Sequence, residues 1–294
     1  MMHEELKNAV EAAIKEATGT DFHIKHSRAQ GGGCINEASV VGDGSQDYFV
    51  KLNAGNAISM FETEAAALQE LAETKTIRVP RPITHGLAAG RSYLILEALP
   101  FGSPQTDSWE AMGQQLARLH GTTADHFGWH RDNVIGSTPQ QNAWTDSWAE
   151  FFREKRLRPQ FDLAAQNGFT FAKSDDLLGH SEDLLGGHFP EPSLLHGDLW
   201  SGNASFLEGG TPVIFDPATY YGDREADLAF SEFFGGFPSS FYTAYHQECP
   251  LPPGYAKRKI LYNLYHVLNH ANLFGGGYAG QAERMIADLL TPTF

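Results

Sequence analysis

The sequence predicts an α+β chain of two lobes, a small β-rich lobe over residues 1–100 and a larger, mainly helical lobe over residues 101–294. Three observations predict it. Up to residue 100, short apolar runs of strand length outnumber helical stretches. At 97–102 the last of these runs meets Pro100 and Gly102, which mark a hinge. Beyond the hinge, apolar residues recur at three- and four-residue spacing, the period of helices packed on one face.

The elements follow in order. Residues 3–17 form an amphipathic helix, with Leu6, Val10 and Ile14 four apart and Gly19 as its stop. Strands at 23–28 and 38–41 flank a glycine triplet, Gly31, Gly32 and Gly33, and 48–52 (YFVKL) is a third strand. Residues 61–72 (FETEAAALQELA) are rich in Ala, Leu and Glu, which favour the helix. The VPRP run at 79–82 breaks that pattern, and 93–99 (YLILEAL) is an apolar strand. In the second lobe, 108–120 is a helix with Trp109, Met112, Leu116 and Leu119 on one face. Residues 144–156 read as another, with Trp144, Trp148, Phe151 and Phe152 as a core-facing stripe. A β-rich piece at 194–216 precedes helices over 225–234 and 261–273.

Charge narrows the function. With 36 acidic against 21 basic residues the net charge is −15, which argues against binding duplex nucleic acid or anionic lipid. It also disfavours polyanionic substrates and favours neutral or cationic amines. Cys34 and Cys249 stand far apart, without the spacing of a zinc site or a disulfide framework. The N-terminal stretch lacks a signal-peptide core, and no run reaches the ~18 apolar residues of a membrane span. A soluble protein of the reducing cytoplasm is expected.

The chemistry concentrates in LLHGDLWSGN (194–203) followed by VIFD (213–216). A carboxylate, an amide five residues on, and a second carboxylate after an apolar strand are what phosphoryl transfer requires. Asp198 suits a proton acceptor for an attacking hydroxyl, and Asn203 and Asp216 suit Mg²⁺ ligands. Protein kinases carry a related order, with Arg where this chain has Gly197 and Phe where it has Pro217. Without that Arg, and with only a short segment after Asp216, activity is expected without activation-loop phosphorylation. The bland alternative is a buried Asp/Asn turn network.

Upstream, Lys51 ends a strand and Glu64 lies on the next helix, suiting an ATP-phosphate contact and the carboxylate that orients it. Glu62 is the competing partner; Phe61, Ala65 and Leu68 mark an inward face that Glu64 flanks. Gly31, Gly32 and Gly33 let backbone N–H groups approach phosphate, though such a triplet also suits an ordinary turn. Cys34 is either a small filler or a thiol whose pKa the same positive potential would lower. Trp200 either offers its indole to a sugar-like substrate or packs on its own loop, and His196 stands nearby as a second substrate candidate. His266 and His270, four apart on a helix, lack a third ligand for a zinc site.

These residues resemble the fructosamine kinase (ketosamine 3-kinase) family, part of the group of aminoglycoside and choline phosphotransferases with a protein-kinase-like fold. The likeness is carried by GGGCINEA (31–38), YFVKLN (48–53), MFETEAAAL (60–68), RVPRPI (78–83), NVIGSTPQQNAWTDSWAEFFREKRLRPQ (133–160), LLHGDLWSGN (194–203) and FDPATYYGDREADLA (215–229). It implies transfer of the ATP γ-phosphate to the sugar 3-hydroxyl of a free or protein-bound ketoamine, followed by elimination of the phosphate, as in protein-deglycation repair. It implies Asp198 as proton acceptor, Asn203 and Asp216 as metal ligands, Lys51 as phosphate contact, and Glu97, Ala98 and Leu99 as the adenine-contacting hinge. For Cys34 it implies redox control through an intermolecular disulfide, hence a monomer or a redox-dependent homodimer. Asp223, Arg224 and Asp227 match family positions and read as structural. A phosphotransferase of the aminoglycoside or methylthioribose type, or a low-turnover ATP-binding redox sensor acting through Cys34, is the alternative.

Overall fold

The first helix, Glu4–Thr18, ends where Gly19 turns left-handed and its N–H closes onto Lys15 O at 2.8 Å. Its four-residue repeat of Leu6, Val10 and Ile14 is buried against Val41, Val50, Leu52 and Ile95. Fully burying each such side chain stabilises the fold by roughly 1.5–3 kcal/mol. In this computed structural model, residues 3–31 and 35–291 are described; Gly32, Gly33 and Cys34 lie outside them.

The sheet beneath that helix is five-stranded and antiparallel. Its spatial order is His26–Ala29, Glu37–Gly42, Asp47–Ala54, Arg91–Glu97, Pro82–Ala88. On the strand Asp47–Ala54, Tyr48, Val50 and Leu52 face the first helix. The period of two turns Lys51 to the opposite face, where the helix Ile58–Glu73 brings Glu64 to it.

The chain divides into two units, one of residues up to Ser108 with Gly202–Pro217, the other of Trp109–Ser201 with Ala218 onward. This differs from the division at residue 100 that the sequence suggests. The reason is long-range strand pairing: Ala204–Leu207 pairs with Pro212–Ile214 on one side and with Phe101–Gly102 on the other. Ile214 N–H also donates to Arg78 O at 3.0 Å. Asn203 and Asp216 therefore belong to the first unit.

The second unit is built on the helix Tyr255–Phe274, whose Leu261, Leu264, Val267 and Leu268 are fully buried. Around it pack Glu225–Ser231, Arg158–Gln166 and Gly277–Leu290. The helix expected over 144–156 begins instead at Trp148, because Ser147 caps it: its Oγ accepts the Glu150 N–H at 3.3 Å. Trp144 thus lies outside the helix and is 45% exposed, while Trp148, Phe151 and Phe152 are core. The helix widens into a π-helical turn over Phe152–Leu157. Among the described residues, no helix is long and apolar enough to cross a membrane.

Candidate active site

In the first unit, Lys51 Nζ lies 2.6 Å from Glu64 Oε1 and 2.5 Å from Asp216 Oδ1. Glu62 is exposed and plays no part in this contact. Burial alone would lower the Lys51 pKa, but the carboxylates of Asp216 and Glu64 outweigh it and raise the pKa. Burial, with the Asp216 charge nearby, raises that of Glu64 against the opposing pull of Lys51.

The hairpin of Ala204–Leu207 and Pro212–Ile214 sets Ala204 opposite Ile214. Asn203 O then accepts the Phe215 N–H at 3.0 Å, so Asn203 and Asp216 emerge at the same hairpin end. Asp216 has φ +58°, a left-handed conformation uncommon outside glycine. Its side chain is 46% exposed, leaving room for a ligand beside Lys51.

In the hinge segment the side chain of Glu97 is already engaged. The Glu97 carboxylate is taken by the Arg78 guanidinium and by the Arg81 N–H at 2.7 Å. What Glu97, Ala98 and Leu99 can offer a flat base is therefore backbone, of which the Glu97 N–H already donates to Arg81 O and the Leu99 carbonyl already accepts the Phe101 N–H, each at 3.0 Å. Gly31 is exposed, and just beyond Gly32, Gly33 and Cys34 the chain is anchored by Asn53, whose Nδ2 donates to Asn36 Oδ1 at 2.7 Å.

In the second unit, Ser193–Leu195 pairs with Tyr220–Gly222 and leads into the segment bearing Asp198. Asp227 clamps that segment: its Oδ2 accepts the His196 N–H at 2.7 Å and its Oδ1 the Gly197 N–H at 2.8 Å. His120 Nε2 lies 3.2 Å from the same Oδ2 and Tyr245 OH lies 2.8 Å from His120 Nδ1. Burial would raise the Asp227 pKa, but the hydrogen bond and charge of His120, with the Gly197 N–H, hold it below the usual range. Gly197 has φ +82°, and a Cβ there would stand 2.1 Å from Ala218 O. Only glycine fits.

His196 does not face a substrate. It is 0% exposed, and its Nδ1 accepts the Asp198 N–H at 3.2 Å, so it positions Asp198 instead. Trp200 is partly exposed and meets Phe234 edge to face at 5.6 Å, so its ring packs on a residue outside its own loop. Asp223 and Arg224 are structural: Asp223 accepts from Tyr262 OH, and Arg224 donates to Tyr245 OH and the carbonyls of Cys249 and Pro250. Asp227, read from the sequence as structural, is structural too: it holds the backbone of the segment that bears Asp198. His266 stacks on Phe230 at 3.6 Å, and His270 Nδ1 contacts the His266 carbonyl at 2.7 Å; both are helix-packing residues.

A family model described as fructosamine kinase matches residues 6–292. A Synechocystis protein named "Probable ketoamine kinase" is 55% identical over 279 residues, 94% of each chain. The chloroplastic protein-ribulosamine 3-kinase of Arabidopsis thaliana is 46% identical over 266 residues, 88% of this chain and 81% of that one. Among solved structures, one from Haemophilus somnus assigned as a fructosamine-3-kinase is 35% identical with TM-score 0.91, covering 96% of this chain and 97% of that one. An aminoglycoside phosphotransferase, in ternary complex with ADP and hygromycin B, matches at TM-score 0.64 and 16% identity over 97% of this chain and 100% of that one. The latter likeness is one of fold, the protein-kinase-like fold.

Proposed function

Since the chain belongs to the fructosamine kinase family, we propose that it uses ATP to phosphorylate the sugar 3-hydroxyl of a ketosamine such as ribulosyl- or fructosyl-lysine. The observation that carries this reading for the residues themselves is Lys51 Nζ between Glu64 and Asp216, at 2.6 and 2.5 Å.

Each unit has its own task. In the first, Lys51 neutralises the α- and β-phosphates while Glu64 fixes its direction. The backbone of Glu97, Ala98 and Leu99 receives adenine, and Gly31, Gly32 and Gly33 approach the phosphates without Cβ obstruction. The Asn203 amide oxygen and the Asp216 carboxylate are hard oxygen donors, the kind Mg²⁺ takes. When bound there, Mg²⁺ would neutralise charge on the transferring phosphoryl group. In the second unit, Asp198 accepts the proton of the attacking hydroxyl while Asp227 and His196 hold its backbone. Trp200 offers an apolar face to the sugar.

The net charge of −15 suits neutral or cationic ketoamines, and two cysteines suit the reducing cytoplasm. Cys34 is the residue through which oxidation would link two copies and stop turnover.

A coupled assay of ATP turnover with ribulosyl-lysine, fructosyl-lysine and an aminoglycoside tests the reading. Turnover with a ketosamine that disappears in Asp198→Ala supports it. Equal turnover by the Ala variant removes Asp198 from the mechanism, and turnover confined to the aminoglycoside overturns the substrate class.

A further inference from the structure

The 133–160 run carries a buried polar network that the phosphoryl-transfer chemistry does not use. At its end is Arg156, 0% exposed and within the π-helical turn, a local geometry frequent at functional sites. Its guanidinium donates to neutral oxygens: Gln141 O at 2.6 Å, Lys155 O at 2.9 Å and Asn142 Oδ1 at 2.7 Å. It lies 4.0 Å from the Tyr220 ring centroid and 4.5 Å from that of Phe151. Its Nε has no hydrogen-bond partner among the described residues. Burying a guanidinium in this way is expensive, and a polar network so placed specifies one arrangement of what it touches.

What it touches is backbone. Asn142 Nδ2 donates to Asn133 Oδ1 at 2.9 Å, and Asn133 Nδ2 donates to Thr219 O at 2.8 Å. Gln140 Nε2 donates to Asn133 Oδ1 at 2.8 Å and to Ala218 O at 3.1 Å. Tyr265 OH completes the set, donating to Gln140 Oε1 at 2.7 Å, and burial keeps that phenol protonated. The two carbonyls gripped, those of Ala218 and Thr219, belong to the segment on which the Asp198 loop rests. Ala218 N–H donates to His196 O at 2.9 Å, and Ala218 O fills the space a side chain at Gly197 would need.

We propose that Asn133, Gln140, Asn142, Arg156 and Tyr265 are positioning residues for phosphoryl transfer: by fixing Ala218 and Thr219 they fix His196, Gly197 and, next in chain, Asp198. Arg156 polarises the Asn142 amide that it donates to, strengthening the onward bond to Asn133. The clamp of Asp227 holds the loop's N–H groups, and this network holds the surface against which its carbonyl side packs. Together they do the work that an Arg and a phosphorylated activation loop do in protein kinases. The assignment rests on the reading of Asp198 as proton acceptor.

The test uses Gln140→Glu, which removes the two donated bonds while keeping shape, and Tyr265→Phe, which removes a single hydroxyl. kcat and KM for ATP are measured with a ketosamine well below each variant's melting midpoint. Gln140→Glu is expected to lower kcat about 10–100-fold, the effect of a misplaced catalytic group, with KM for ATP within about twofold. Tyr265→Phe is expected to lower it about three- to tenfold, one hydrogen bond's worth, and decides alone if the first variant does not fold. Faster amide exchange at 196–198 in the ligand-free variants is the second expected result. Unchanged kcat and exchange in the folded variants, or losses that only track the unfolded fraction, overturn the proposal. If the wild type turns over no ketosamine, the kinase reading fails, and amide exchange still decides whether the network positions the loop.

Discussion

Lys51 and Asp216 stand 165 residues apart in sequence and are joined by a hydrogen bond of 2.5 Å from Nζ to Oδ1. The bond keeps the lysine aimed at the site and occupies one oxygen of the carboxylate. Lys51→Met is expected to lower kcat about 10²–10³-fold, the loss typical of one preorganised charge partner. Its destabilisation should stay below the roughly 3–5 kcal/mol of a broken, fully buried pair, because Glu64 can take up a proton and Asp216 reaches water. Steady-state kinetics and thermal melting check both halves; wild-type kcat would remove Lys51 from the phosphate site.

Gly197→Ala should fail for two reasons at once. A left-handed φ strains any residue with a Cβ by about 1–2 kcal/mol, and the methyl would stand 2.1 Å from Ala218 O. The loop must shift, so kcat should fall by about 10². Activity close to wild type would mean that the loop tolerates displacement.

Asp227→Asn replaces one of the two oxygens that accept the His196 and Gly197 N–H groups with an amide donor. Leaving one buried N–H unpaired costs about 1–3 kcal/mol. Activity should drop with it, while KM for ATP stays near wild type, since the lost contact serves the acceptor side. A change confined to KM for ATP would contradict this division of labour.

His266 sets an acid limit. Burial, aided by the charge of His270, pushes its pKa down from 6.5 to about 3. The folded-state pKa is depressed, so its contribution is fully present above about pH 6.5 and is lost as pH falls toward 3, where the unfolded chain binds the extra proton. Within that window stability should decline by up to about 1.4 kcal/mol per pH unit from this group. Denaturant titrations from pH 7 to 4 should show a flatter decline in His266→Gln; parallel curves would refute the assignment.

Cys34 can be tested without structure. If oxidative loss of activity runs through this thiol, Cys34→Ser should keep its activity in peroxide and stay monomeric on a non-reducing gel. Inactivation of the Ser variant at the wild-type rate would exclude the switch.

The contact of Lys51 with Glu64 was legible because its spacing is local: the two lie on a strand and the following α-helix, so short-range pattern suffices. The candidates Asp198 and Asn203 likewise stand five residues apart, between the strands Ser193–Leu195 and Ala204–Leu207. The pairing of Gly102 with Phe206 was not legible, since nothing in either short strand names its partner, and with it went the placement of Asn203 and Asp216 in the first unit. Trp144 was misread because helical spacing runs back through Ser147, whose capping hydroxyl is the stronger signal. The burial of His196 was hidden because a histidine beside a candidate base looks like a ligand group until its ring is found bonded to the neighbouring N–H.

The contact between Gly197 and Ala218 also limits what this chain can become. A single base change at a glycine codon can introduce arginine, the residue through which protein kinases sense a phosphate on their own chain. Here the first carbon of any such side chain would collide with a carbonyl that Gln140 already holds, so the mutation would disable the loop before it could regulate it. An arginine at that position would require the backbone at Ala218 to move as well.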